Sequence, residues 1–106
     1  MKRMPTSCPA AITLQTIGGR WKIVIIWFLL QETKRFSDLL RAMTGVTQKM
    51  LTQQLRELER DRIVLRKVYP QVPPKVEYSL TPLGRSLKPI VHAIHRWGLK
   101  HAQNGP

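Results

Sequence analysis

Acidic residues are scarce in this chain, whose 106 residues include 6 Asp and Glu against 18 Lys and Arg, a formal net charge of +12. Such an excess of positive charge repels itself in a compact monomer and favours a polyanionic partner. Charge alone leaves open a protein that binds duplex DNA, an RNA-binding or ribosome-associated basic protein, and a merely soluble basic protein. Aromatic residues make up only 7% of the chain, so the exposed aromatics on which RNA readers stack bases are scarce.

Cysteine and long apolar runs are also nearly absent. Cys8 is the single cysteine, so no disulfide can form within the chain. The longest apolar run, residues 23–30, is far shorter than the roughly 20 residues needed to cross a bilayer. The basic N-terminus lacks the apolar segment of a signal peptide. These features favour a reducing cytoplasm and no association with a membrane.

No combination of residues typical of an enzyme or of a metal site is present. His92 and His95 could share one helix face, but no third ligand accompanies them. Gly18-Gly19 lacks the context of a phosphate-binding loop. A thiol-based redox enzyme built on Cys8 would need a partner base, and the sequence nominates none. We therefore expect a protein without cofactor or metal that is not an enzyme, with a redox enzyme as an alternative.

The chain length predicts one domain over residues 1–106, with a modest core that oligomerisation can supplement. Cys8-Pro9 opens a first short helix, because proline fits the first helical position, and Gly18-Gly19 ends it. The almost entirely apolar segment 21–30 predicts a central buried helix. Residues 103–106 are predicted to form a disordered tail.

Residues 36–80 carry the most informative pattern. A short amphipathic helix that Ser37 can cap is followed by a tight turn at residues 44–46 and by a longer helix that Thr47 can cap. Residues 64–68 and 76–80 are rich in β-branched and aromatic residues and predict a hairpin around a proline-rich, basic loop, with a short strand near residue 35. Helix, turn, helix and hairpin form a winged helix-turn-helix, a mainly α fold with a small β-hairpin (α+β). That architecture places one helix in the major groove of DNA and a loop beside it.

The sequence of the second of these helices predicts a surface that reads DNA, and we call it the recognition helix. Leu51, Leu55 and Leu58 bury one face, and the opposite face is polar and basic. Gln and Lys can donate to base edges, and Gln can form two hydrogen bonds with adenine. Acidic residues are absent from positions 44–56, which argues against a merely solvated face. The predicted DNA-binding residues are Ser37, Thr47, Gln48, Lys49, Thr52, Gln53, Arg56, Arg66 and Lys75. Because side chains alternate along a strand, only one of Arg66 and Lys67 can face the DNA.

The last helix is predicted to start at Thr81-Pro82 and to include Pro89, where it can kink or turn weakly. Its apolar stripe consists of Leu83, Leu87, Ile90, Val91, Ile94 and Trp97. This stripe is larger than one small core readily uses, although a core stripe is the commoner explanation of such a pattern.

In this order, the motifs resemble those of the HxlR-type family of bacterial transcription regulators, winged-helix proteins related to the MarR group. The resemblance extends from Cys8 to about His101. It rests on CP at 8–9, GGRWK at 18–22, RFSDL at 35–39, KMLTQQLRELE at 49–59, YP and VPPKVEYSLT within 69–81, and LG at 83–84. It implies a homodimer whose first and last helices form the interface between the subunits. This homodimer binds an operator made of an inverted repeat. The implied interface residues are Leu87, Ile90, Val91, Ile94 and Trp97.

Two single positions add further expectations. The family usually has glycine where this chain has Arg62, so the turn after the recognition helix is predicted to be mildly strained or to end the helix differently. Several family members sense electrophiles or oxidants through a cysteine at the position of Cys8, which implies a redox-sensing role, with an inert packing residue as the alternative. The helix dipole and Lys2, Arg3 or Arg20 could stabilise a thiolate there. Without a second cysteine, the available products are a Cys8-to-Cys8 bond between subunits, a mixed disulfide or an alkylated thiol.

Overall fold

The computed structural model describes residues 8–102 of the chain. Its elements are, in order, α1 Pro9–Ile17, α2 Lys22–Gln31, β1 Lys34–Arg35, α3 Phe36–Ala42, α4 Gln48–Arg60, β2 Val64–Tyr69, β3 Lys75–Leu80, α5 Pro82–Arg85 and α6 Lys88–His101. The strands form an antiparallel sheet in the order β1-β3-β2. The predicted winged helix-turn-helix is therefore confirmed, with β2 and β3 as the wing and β1 as a third strand. The tail predicted to be disordered, residues 103–106, lies outside the described residues.

The core is built around α2, whose sequence is apolar on nearly every side. Ile25, Ile26 and Leu29 are at most 1% exposed, and the helix contacts α4, α6 and β3. A helix that is apolar all round needs neighbours on every side, and these elements cover the side with Ile25, Ile26 and Leu29. The predicted central buried helix is confirmed for that side, whereas the apolar residues Ile23, Val24, Trp27, Phe28 and Leu30 are half-buried. Within residues 8–102, no helix combines the length and the apolar character needed to cross a membrane.

The helix-turn-helix begins differently from the prediction. Helix α3 starts at Phe36, so Ser37 lies in its first turn and the prediction that Ser37 caps it is wrong. The backbone N–H of Arg35 instead donates to Oδ2 of Asp38 at 3.1 Å, because β1 delivers Arg35 in an extended conformation just before the helix. The cap of α4 is confirmed, since the backbone N–H of Met50 donates to Oγ1 of Thr47 at 3.1 Å.

The turn after α4 has the geometry that usually selects glycine. Arg62 has φ 63°, a left-handed conformation that is costly for a residue with a Cβ. The N–H groups of Ile63 and Arg62 donate to the carbonyls of Leu58 and Glu59 at 2.9 and 3.0 Å, which is the hydrogen-bond pattern of a Schellman motif. The helix therefore ends in the usual way, and of the two predicted outcomes the strained Arg62 is the one observed.

The predicted single last helix is two helices. Oγ1 of Thr81 accepts the N–H of Gly84 at 3.0 Å and caps α5, which ends at Arg85. Helix α6 starts afresh at Lys88, with Pro89 in its first turn, where the missing N–H of proline costs no helical hydrogen bond. Continuing one helix through Pro89 would have removed such a bond. Leu83, 55% exposed, therefore belongs to α5 and not to the stripe of α6.

Candidate nucleic-acid interface

Helix α4 divides its surface between the core and an open polar face. Leu51, Leu55 and Leu58 are at most 2% exposed, so the chain's own core uses the leucine stripe. The opposite side carries the predicted reading residues, of which Thr52 is half-buried and the others are exposed, namely Thr47, Gln48, Lys49, Gln53 and Arg56. The fold thus brings these side chains together on one face, and their contact with DNA stays a prediction.

A groove of about 490 Å³ runs between α4 and the sheet. Gln48, Thr52, Arg56 and the acidic Glu59 line it from the helix, and Arg66 lines it from β2. In the β2–β3 ladder, Arg66 lies directly opposite Tyr78, which is 8% exposed. Directly opposed residues share a face of the sheet, so Arg66 projects from the core-side face, next to α4. The structure therefore places one wing residue, Arg66, in the same groove as the polar residues of α4.

The opposite face of the wing carries a separate basic cluster. Lys67 pairs with Glu77 and Tyr69 with Lys75 in the ladder. The ammonium nitrogens of Lys67 and Lys75 lie 4.9 and 4.5 Å from the centroid of the Tyr69 ring, and Nζ of Lys75 is 3.6 Å from Oε2 of Glu77. Lys75 thus points away from the groove, and a carboxylate offsets part of its charge. Of Arg66 and Lys67, Arg66 is the one on the side of α4.

Ser37 lies next to this surface. It is exposed in the first turn of α3, and its neighbour Phe36 contributes to the lining of the groove. Ser37 therefore keeps a place near the predicted DNA interface, although it does not cap its helix.

One ion pair connects the polar face of α4 to the core, and the sequence pattern did not predict it. Lys22, the first residue of α2, is 7% exposed, and its Nζ lies 2.7 Å from Oε1 of Glu57. The hydrogen bond from Lys22 and its positive charge lower the pKa of the Glu57 carboxyl. The available sequence signal was a lysine inside an otherwise apolar segment, a position where a buried charge requires a partner.

Helix α6 leaves several apolar side chains exposed. Ile90, Ile94 and Trp97 are 42%, 47% and 62% exposed. Leu87 is half-buried, whereas Val91 is 1% exposed and lies beside α2. Val91 is therefore a core residue whose side chain has almost no surface left for a partner. The exposed part of the predicted interface is the face with Ile90, Ile94 and Trp97.

The two histidines of α6 pack against α2, beside an apolar cleft between these helices. Apolar side chains that include Ile23, Phe28 and Ile94 line this cleft of about 260 Å³. The ring of His95 stacks on Trp27 with centroids 3.9 Å apart, and the ring of His92 lies 5.3 Å from the same indole. Both histidines thus pack against Trp27. Among residues 8–102, no group of three or more His, Cys, Asp or Glu could hold a metal ion.

A model of the HxlR-like helix-turn-helix family matches residues 16–105. The chain belongs to this family. The HTH-type transcriptional regulator YybR of Bacillus subtilis is 54% identical over 91 residues, which are 86% of this chain and 73% of YybR. The redox regulator HypR in its oxidised form matches with a TM-score of 0.86 and 52% identity, over 89% of this chain and 97% of that one. Its reduced form matches with a TM-score of 0.85 and 51% identity, over 89% and 93%.

These comparisons confirm the resemblance stated from the motifs. The HxlR-like chain is a transcriptional regulator with a helix-turn-helix domain. Its relatives are transcriptional regulators, a class that is generally not catalytic.

The single cysteine of this HxlR-like regulator stands at the start of its first helix. Cys8 is the N-cap residue of α1, and its thiol is exposed. Of the cations predicted near it, Arg20 places its guanidinium carbon 4.7 Å from the centroid of a Trp21 ring, and Lys2 and Arg3 lie outside the described residues. Helix α1 also exposes Ile12 and Leu14, at 46% and 66%. Cys8 thus begins a helix that, like α6, presents apolar side chains to solvent.

Proposed function

We propose that this regulator binds duplex DNA sequence-specifically, as a homodimer, at an operator made of an inverted repeat. The observation that carries the proposal is the groove in which Arg66 of the wing meets Gln48, Thr52 and Arg56 of α4. Amide and hydroxyl groups can hydrogen-bond to base edges in the major groove, and guanidinium groups can bind phosphate. The net charge of +12 adds an attraction to the phosphates that does not depend on sequence.

The proposed contacts differ in kind along this surface. The first turns of α4 enter the major groove and read bases, whereas the flanking residues hold the backbone. Base reading is assigned to Gln48, Lys49, Thr52 and Gln53, and phosphate contact to Ser37, Thr47, Arg56, Arg66 and Lys75. Lys75 is expected to contribute least, because it lies on the outer face of the wing and Glu77 offsets part of its charge.

The homodimer is proposed from the apolar surface that the fold leaves uncovered. Ile90, Ile94 and Trp97 lie exposed along α6, and Ile12 and Leu14 are exposed on α1. Rows of large exposed apolar side chains mark association sites more often than ordinary surface. A two-fold dimer would present one α4 helix to each half-site, with the half-sites about 34 Å apart, one turn of DNA.

Cys8 is proposed as the site where an oxidant or an electrophile acts. Its thiol is exposed at the N-terminus of α1, where a small oxidant or electrophile can reach it. A neighbour of similar structure, HypR, is a redox regulator solved in oxidised and reduced forms. Two Cys8 thiols from two subunits would form one disulfide and give two electrons and two protons to the oxidant, while a quinone would alkylate each thiol directly.

DNA reading is tested by selecting bound fragments from genomic DNA and measuring the affinity of the protein for the selected operator. Fluorescence anisotropy compares that operator with a random duplex and with an RNA of equal length at one salt concentration. We expect an affinity for the operator at least ~10³-fold above that for the random duplex. Equal affinity for all three would contradict the proposal, and a preference for the RNA would favour the RNA-binding class.

The homodimer is tested by analytical ultracentrifugation of the wild-type chain and of Ile94→Glu. The wild-type chain is expected to sediment as a dimer, and the carboxylate is expected to dissociate it because an unpaired charge is costly in an apolar interface. The control is Glu32→Gln, a change at an exposed position outside α6, which should leave the dimer intact. A monomeric wild-type chain at micromolar concentration would refute the dimer.

The role of Cys8 is tested by titrating operator binding before and after treatment with diamide or a quinone. Cys8→Ser is the matched control, because it keeps a small polar residue at the N-cap. We expect the treatment to change the affinity of the wild-type protein and to leave that of Cys8→Ser unchanged. If both proteins keep their affinity, Cys8 is not a sensor.

A further inference from the structure

The ion pair between Lys22 and Glu57 is unusual because the lysine is buried at an unfavourable place. Lys22 is the first residue of α2, and its side chain is 9% exposed. A cation at the N-terminus of a helix meets the positive end of the helix dipole, and burial removes its hydration. Neither the core nor α2 gains from a charge at this position. The reason for a lysine at this position therefore has to lie in its 2.7 Å contact with Oε1 of Glu57.

The second oxygen of Glu57 extends this contact to the proposed reading surface. Oε2 of Glu57 accepts a hydrogen bond from Nε2 of Gln53 at 3.4 Å, so the carboxylate bridges the buried Lys22 and the exposed Gln53. The pKa of Glu57 is lowered by the hydrogen bond and the charge of Lys22, so Glu57 is a carboxylate at neutral pH. A carboxylate only accepts hydrogen bonds, and Gln53 must therefore turn its NH₂ group toward it.

The consequence is a defined orientation of the Gln53 amide. Without a neighbour that accepts but cannot donate, a glutamine amide can present its oxygen or its nitrogen in either direction. With one N–H directed to Glu57, the carbonyl oxygen and the second N–H are left for a base. Glutamine recognises adenine by accepting from N6 and donating to N7, and the oxygen and the N–H that Glu57 leaves unused are the two kinds of group that this pairing needs.

We propose that Glu57, held by Lys22, is a positioning residue that orients Gln53 to select adenine in the operator. The proposal rests on the proposed function, because it concerns how a base is read. Lys22 has a second effect in this arrangement. Its charge neutralises a carboxylate that would otherwise repel phosphates and the acceptor atoms of bases from the reading face of α4.

A merely structural clamp between α2 and α4 is the competing explanation, and base preference separates the two. The full-length chain is used with its selected operator, synthesised with each of the four bases at the position that Gln53→Ala affects. Fluorescence anisotropy gives the affinity for each duplex, and thermal unfolding gives the stability of each variant. The variants are Glu57→Ala, Gln53→Ala, both together, and Lys22→Met combined with Glu57→Ala, which leaves no buried charge unpaired.

We expect Glu57→Ala to lower the preference for adenine at that position by about 3- to 10-fold, a part of what a complete two-bond contact provides. In the Gln53→Ala background, Glu57→Ala should cause no further loss of preference. The variant that also carries Lys22→Met should show the same loss as Glu57→Ala, whatever its stability. Asp61→Ala is the charge-matched control at the far end of α4, and it should leave the preference unchanged.

Two results would overturn the positioning role. In one, a sequence-specific wild-type protein keeps its preference for adenine after Glu57→Ala. In the other, Glu57→Ala lowers the preference as much in the Gln53→Ala background as in the wild type. A wild-type protein that binds operator and random duplex equally well overturns the proposed function and this inference together. The wild-type measurement therefore distinguishes the two failures.

Discussion

Helices α4 and α6 are nearly equal in length, 13 and 14 residues, but the fold uses their apolar stripes in opposite ways. The leucines of α4 are buried in the chain's own core, and its polar face stays open. Helix α6 contributes Val91 to that core but leaves Ile94 and Trp97 exposed. An amphipathic pattern therefore does not identify the partner of a helix. The open face of α4 suits a polyanion, whereas the open face of α6 suits another apolar surface.

The largest effect that tests this comparison is on stability. Leu55→Ala should lower the free energy of unfolding by about 2–5 kcal/mol, because it leaves a cavity in the core. Ile94→Ala, measured by urea denaturation under conditions where the chain is monomeric, should change it by less than about 1 kcal/mol, because Ile94 is 47% exposed. Equal losses for the two variants would mean that α6 is as much a part of the core as α4.

The next effect is on DNA binding. Gln48→Ala should weaken binding to the operator by about 1–3 kcal/mol and relax the base preference, because it removes hydrogen bonds to a base edge. The matched variant on the other helix is His92→Ala, which should leave base preference unchanged. Competition binding against single-base operator variants measures both. A loss for Gln48→Ala that is the same on operator and random DNA would show that α4 does not read bases.

Substitutions on the two faces of the wing are expected to have smaller effects on DNA binding. Arg66→Ala should weaken binding to all DNA sequences by about 1 kcal/mol and reduce the salt slope by about 1, because Arg66 lines the groove beside α4. Lys75→Ala should have less than half of this effect, since Glu77 lies 3.6 Å from its ammonium group. Binding titrations from ~50 to ~200 mM salt give both slopes. A larger effect of Lys75→Ala would indicate that DNA contacts the outer face of the wing.

A substitution in the turn that ends α4 is expected to raise the stability slightly. Arg62→Gly should raise the free energy of unfolding by about 0.5–1 kcal/mol, because glycine adopts the left-handed conformation without strain and part of this gain is lost to its greater freedom in the unfolded chain. Arg60→Gly, two residues earlier in helical conformation, should instead lower it by about 1 kcal/mol. Chemical denaturation of both variants measures the difference. A destabilising Arg62→Gly would mean that the arginine side chain contributes more than its backbone strain costs.

The smallest expected effect is that of pH on the stability contributed by the ion pair between Lys22 and Glu57. Because the folded pKa of Glu57 lies below its ordinary value of 4.5, the contribution of Glu57 to stability is fully present above that value. It is lost as the pH falls through the lower folded pKa. Denaturation midpoints from pH 7 to pH 3 should therefore fall more for the wild type than for the variant with Lys22→Met and Glu57→Ala. Parallel curves would show that the pair contributes nothing to acid stability.

Local rules account for the parts of the fold that were predicted correctly. The leucine spacing of α4, the hydroxyl of Thr47 before its first turn, and the β-branched runs of the hairpin each depend on neighbours only a few residues away. The errors lie where two local rules compete. Ser37 was a good cap candidate, but Asp38 reaches back to Arg35 and starts the helix earlier. Pro89 lies in the first turn of α6 instead of bending a longer helix, because Ser86 and Leu87 already separate α6 from α5.

The family, the winged helix-turn-helix and the residue types on the polar face of α4 could all be predicted from the amino-acid sequence. These follow from motif order, periodicity and charge, which are properties of the chain before it folds. Which of these residues lie close together depends on how the elements pack in three dimensions. The strand register places Arg66 beside α4 and Lys75 on the other face of the wing, and the packing of α2 against α4 joins Lys22 to Glu57. Such contacts depend on the relative positions of elements far apart in the chain, which periodicity within one element does not contain.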